Sequence, residues 1–183
     1  MMEKRSALSR LWLSAFLVWA GPVYSDSLSG EFLTQKQLTK PEVITKWLQD
    51  NPEGVDKKGA AFSFDEGLKY KRRKYWSAAA KSFGESAIRY PSPQVLTEYA
   101  MANLYMLGEI RTQKGNTQLG VEADINYAIM QYRSVMAADK TLNALSEAEK
   151  IQIKENIECL TDYLKTRRAS RECQPLKYYG LAP

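Results

Sequence analysis

Histidine is absent from all 183 residues, and with it go the commonest general base and the commonest transition-metal ligand. Cysteine occurs only twice, at Cys159 and Cys173. Two thiolates cannot complete a zinc site without carboxylates, and these two lack the C-x-x-C spacing of thiol redox motifs. No G-x-S-x-G, P-loop, H-E-x-x-H or S-x-x-K arrangement occurs. The nearest approach to paired catalytic carboxylates is Asp65-Glu66, and adjacent acids at a helix start more simply complement its dipole. The expectation is therefore a non-enzymatic chain with no catalytic residue, no metal and no cofactor, and with no small-molecule ligand. Alternation of apolar and polar residues at useful length is also missing, which excludes a strand-built fold.

Long apolar runs are scarce too. The one at the N-terminus, Leu11 to Ala20, is too short to span a bilayer, which takes about 20 apolar residues. It follows Lys4, Arg5 and Arg10 and is broken by Gly21-Pro22. The small residues Val23 and Ser25 then stand at the −3 and −1 positions of a signal-peptidase site. Residues 1–25 are thus expected to be a signal peptide cleaved before Asp26, of bacterial type, with no following cysteine to make a lipoprotein. Localisation is expected to be periplasmic or secreted. Cleavage takes away three of 26 basic and one of 21 acidic residues and leaves a net charge of +3, too mild to imply nucleic acid.

Helical punctuation and periodicity fill the rest. Residues 26–38 read as a flexible segment, and 39–183 as a single domain. Thr39 and Glu42 around Pro41 predict a capping box and a helix through Trp47-Leu48, ending near Asn51-Pro52. Helices are expected at about 60–73, 75–89 and 95–107, with Pro91 and Pro93 as the break between the second and third. A polar insertion, Glu109 to Leu119, reads as an exposed loop. After it, Asp124 can cap a helix on which Ala128, Tyr132 and Val135 share one face. Ser146 and Glu149 form a second capping box, opening a helix over about 146–166 with Ile153, Ile157, Leu160 and Leu164 on one stripe, and a tail over 167–183.

Gly120-Val121-Glu122-Ala123-Asp124, Ala128 and Tyr132-Arg133 resemble the second helix of a Sel1-like repeat, a relative of the tetratricopeptide repeat. Upstream, Gly67, Tyr70, Ala79, Phe83 and Pro91 match a first unit. Gly67 to Ala102 and Tyr70 to Tyr105 are each 35 positions apart, near the expected period. The first unit departs from the pattern at its turn, where glycine is replaced by Lys74, at a cost of about 1 kcal/mol if the left-handed conformation is kept.

The resemblance implies an all-α fold of antiparallel helical-hairpin repeats, units at about 60–92 and 94–139, between an N-terminal helix and a C-terminal capping helix. It further implies a protein-binding concave face on the first helix of each unit. Carried over by position, that face comprises Phe64, Leu68, Lys71, Tyr99, Asn103 and Met106. The implied role is an adaptor or assembly factor for a secretion, pilus or flagellar-motor complex in the cell envelope. The alternatives are an inhibitor or immunity-type protein that binds one toxin or enzyme, and a peptidoglycan-binding module using the basic run Lys69, Lys71, Arg72, Arg73 and Lys74. That run reads either as a solvated surface or, with Lys165, Arg167, Arg168 and Arg171, as a weak anionic-surface contact. Cys159 and Cys173 are expected to pair in an oxidising compartment and to pin the tail to the last helix.

Overall fold

A computed structural model describes residues 31–115 and 120–181. The expected signal peptide lies outside the described residues. Among those residues every regular element is helical: α1 (Pro41–Asp50), α2 (Lys57–Arg72), α3 (Trp76–Arg89), α4 (Pro93–Gln113), α5 (Val121–Leu142), α6 (Glu147–Thr166) and α7 (Gln174–Tyr178), with a 3-10 turn at Gln37–Thr39.

From α2 to α6 each helix packs on the next in chain order, and the side-chain pairings show the direction reversing at every step. Asp56, before α2, bonds to Arg89 at the end of α3 (3.3 Å). Trp76 at the start of α3 stacks on Tyr105 late in α4. Leu107 and Arg111 late in α4 border one cleft with Asp124 at the start of α5, and Glu122 at the start of α5 meets Arg167 just past the end of α6 (2.6 Å). Helices α2, α4 and α6 therefore run parallel to one another, with α3 and α5 opposed. Glycine allows the closest approach in the first pair: a Cβ on Gly67 would lie 2.5 Å from the Phe83 ring, inside any tolerable carbon–carbon contact.

Helix α1 does not extend this row. It packs against α5, with the 3-10 turn beside it, and the Leu33 N–H donates to the Ile88 carbonyl of α3 (2.9 Å). Residues 31–38, the described part of the 26–38 segment read as flexible, contribute Leu33 and Leu38 to the core. Trp47 is the anchor of this layer, 0% exposed, its indole N–H donating to the Glu31 carbonyl (2.9 Å).

Local signals met mixed outcomes. The Ser146–Glu149 capping box forms as expected. The Thr39–Glu42 box does not: the Thr39 hydroxyl donates to the Lys36 carbonyl inside the 3-10 turn, and α1 starts at Pro41, whose fixed φ suits a first helical residue. Lys74 does adopt the left-handed conformation, with φ 58°. The loop expected from Glu109 onward begins later, because α4 continues to Gln113. Arg111 is buried there and donates to the Gly180 carbonyl, so tertiary packing holds a polar stretch helical. Asp124 caps nothing: α5 starts after Gly120 (φ 85°), and its carboxylate accepts instead from the Tyr179 hydroxyl (2.6 Å). The turn into α6 relies on Asp139, whose buried carboxylate accepts the Ala144 and Leu145 N–H groups (2.9 and 2.8 Å). Cys159 and Cys173 form a disulfide, with Cα atoms 5.7 Å apart.

Candidate functional site: a groove along α4

The bridge carries the chain from α6 back across the row. Behind Cys173, α7 packs on α4 and α6, and Gly108 is what lets it in: a Cβ there would sit 3.0 Å from the backbone of Tyr178 and Tyr179. Tyr179 is buried, and its phenol donates to Asp124 of α5. Tyr178 lies in the groove itself. Its ring stacks on Tyr105 at 4.7 Å, and Tyr105 stacks on Trp76 at 3.9 Å and only 6° from parallel. A three-ring ladder thus runs from the start of α3, over α4, to α7.

Clefts open on both sides of Tyr178. One, of about 510 Å³, is floored by Tyr105, Gly108 and Thr112 with Trp76 at its rim. The other, of about 280 Å³, lies between Thr97, Glu98 and Met101 of α4 and Ile153 and Asn156 of α6. Glu98 also receives both bonds of Lys71 Nζ (2.7 and 2.8 Å), which ties α2 to α4 at this wall. Stacking faces, a soft thioether, amides and a carboxylate suit the binding of an irregular peptide surface. Among the described residues no group of three Cys, Asp or Glu side chains is placed to hold a metal, and no helix is long and apolar enough to cross a membrane.

The six residues carried over from the repeat pattern are dispersed. Lys71 borders the groove through Glu98. Phe64 turns to the Phe83 ring of α3 (5.6 Å), and Leu68 and Met106 are half-buried against the core. Tyr99 and Asn103 are 4% and 6% exposed. Tyr99 points to the far side of α4, against Gly84 and Tyr127. Among the α4 residues that do line the groove, Glu98, Met101 and Tyr105 stand one or two positions before Tyr99, Asn103 and Met106. On an α-helix one position is about 100° of rotation, so the carry-over selected a neighbouring face. Of the basic run, Lys69 pairs with Glu66 (2.6 Å), while Arg72, Arg73 and Lys74 are exposed. These lie at the end of α2, where cations complement the helix dipole. Lys165, Arg167 and Arg168 lie at the corresponding end of α6, with α3 to α5 between the two groups.

No family model, curated protein or solved structure matches this chain.

The ring systems around α4 are held protonated. Burial, foremost, pushes the phenols of Tyr127, Tyr132, Tyr178 and Tyr179 above the ordinary tyrosine value; the bond to Tyr99 adds to this for Tyr127, and the bond to Asp124 for Tyr179. A pKa raised by folding contributes stability that is complete below the unfolded value of about 10 and is lost as pH rises through the folded value. Above pH of about 10, unfolding free energy should therefore fall, with tyrosinate absorbance and loss of helicity appearing together. A chain whose stability stays level well into that alkaline range would contradict the assignment.

Proposed function

We propose that this chain is an exported, non-enzymatic helical-repeat protein of the Sel1-like and tetratricopeptide type, which captures a segment of a partner protein in the groove along α4. In this reading it serves as an adaptor or assembly factor for a cell-envelope complex. The observation that carries the proposal is the open groove beside Tyr178, built from stacked aromatic rings, Met101 and Glu98 rather than from any reactive set. The repeat assignment is supported by the alternating row α2 to α5 and by the seating of Gly67 against Phe83, a small residue opposite an aromatic one. Export is supported by the Cys159–Cys173 disulfide, since such bonds persist in oxidising compartments.

The test is a crosslinking pull-down of the tagged mature chain from the cell envelope, run beside Met101→Arg. The half-exposed Met101 tolerates a charged replacement without loss of core, so circular dichroism should not change. The expected result is recovery of several membrane-complex subunits by the parent chain and a loss of about tenfold in the variant. Equal recovery by both chains would move binding off the groove, and capture of one stoichiometric soluble protein would favour an inhibitor.

A further inference from the structure

The row of helices has two open ends. Helix α2 packs on α3, and α6 packs on α5 and α7, and each leaves an outward stripe facing solvent. On α2 and just past its end, the stripe reads Lys58, Phe62, Asp65, Lys69 and Arg73. On α6 it reads Glu147, Ile151, Lys154, Glu158 and Asp162. All ten residues are exposed, and the two apolar members are among the most exposed large apolar side chains in the structure, Phe62 at 69% and Ile151 at 54%.

Laid side by side in parallel, the stripes match position for position. Each α6 residue is 89 positions after its α2 counterpart: Lys58 faces Glu147, Phe62 faces Ile151, Asp65 faces Lys154, Lys69 faces Glu158 and Arg73 faces Asp162. Four opposite-charge pairs thus surround one apolar pair. The spacing of four, three, four and four residues keeps each stripe on one helix face, and in a seam of parallel helices equivalent positions are set against one another. Direction agrees as well. Helices α2 and α6 run the same way within one molecule, and a head-to-tail contact between equally oriented copies preserves that relation.

We propose that a second copy of this chain docks head to tail, the α6 stripe of one molecule on the α2 stripe of the next. The intrachain partners of the seam, Glu66 for Lys69, Lys150 for Glu147 and Lys165 for Asp162, are i,i+3 surface pairs of the kind that exchange cheaply. Glu66 falls opposite Glu155 at the margin, and its bond to Lys69 tempers that repulsion. A seam of two helices lies at the small end of specific interfaces, so assembly is weak, concentration-dependent and sensitive to salt. Each copy carries both stripes, so the contact is heterologous and builds chains or a ring rather than a closed two-fold dimer. The groove along α4 is on a different face, and this inference stands apart from what binds there.

Sedimentation velocity on the mature chain with its disulfide intact tests the seam, across concentration and at low and high salt, with the single reversals Lys69→Glu and Glu158→Lys and the double reversal carrying both. All the replaced side chains are exposed, and circular dichroism verifies that helicity is kept. The expected result is self-association of the parent that weakens with salt, a loss of about tenfold or more in each single variant, and recovery in the double variant, where the pair is re-formed with its charges exchanged. A parent that stays monomeric at high concentration and low salt overturns the proposal. So do single reversals that associate like the parent, which would put the contact elsewhere, and a double reversal as weak as the singles, which would break the Lys69–Glu158 register.

Discussion

Replacing Trp47 with alanine lowers the unfolding free energy by about 3–5 kcal/mol, the range for removing a large buried aromatic side chain. Two contributions meet at this position. The ring is wholly enclosed, so its loss leaves a cavity as well as forfeiting its transfer energy. Its N–H also holds the Glu31 carbonyl, which ties the segment before α1 to the helix. Without the ring, α1 keeps only Ile44 and Leu48 as fully buried residues to dock with, and residues 31–39 lose their backing. For a domain of this size the melting temperature should drop by roughly 6–20 °C, measured by far-ultraviolet circular dichroism. Trp47→Phe should lose much less, since it keeps most of the apolar volume and gives up one hydrogen bond worth about 1 kcal/mol. A loss below about 1 kcal/mol for the alanine variant would mean that α1 is not held through this ring.

Cys159→Ser is the second large effect, expected at about 3 kcal/mol from the closure of a loop 14 residues apart in sequence. The bond also cross-links to α6 the segment that places Tyr178 and Tyr179. Once it is cut, the stacking of Tyr178 on Tyr105 rests on the noncovalent contacts of the tail, chiefly Tyr179 to Asp124 and Arg111 to Gly180, around a helix of five residues that is too short to persist by itself. The near-ultraviolet dichroism of the aromatic ladder should therefore fall well before the far-ultraviolet signal of α2 to α6. Reductant should bring the parent chain down to the stability of the variant and leave the variant unchanged. Parent and variant melting alike under non-reducing conditions would remove the bridge from the stability of the fold.

Local sequence signals translated into structure where no competing partner lay nearby, as at Ser146 and Glu149, and not at Thr39, whose hydroxyl is taken by the Lys36 carbonyl. Ser146 and Glu149 satisfy each other's N–H groups within one helical turn, so nothing distant can easily reverse them. The Ile153 and Leu160 stripe works the same way, since its 3.6-residue period alone states that one side of α6 is covered. The site was less legible. Tyr105 was visible as an aromatic residue on the first helix of the second unit, but nothing in the spacing indicates that Tyr178, 73 positions after it, stacks there. The polar run Glu109 to Gln113 carried a loop-like composition and became helix because Arg111 found the Gly180 carbonyl. Tyr99, Asn103 and Met106, chosen for a concave face, stand one or two positions from the groove residues of α4, because both neighbouring faces carry aromatic and small side chains, and only contact with α3 and α5 decides which is turned inward.

The amino-acid sequence by itself determined that the chain is helical, where most helices begin and end, and that its two cysteines could close the tail onto the last helix. Those properties depend on hydrogen bonds and periodicities spanning a few residues. Tertiary structure alone decided that α1 lies on α5, that the tail enters the groove along α4 through Gly108, and that Tyr99 faces away from that groove. Each of these is a choice among faces of similar apolarity, and such a choice is settled by steric fit between segments far apart in the chain, which no local pattern encodes.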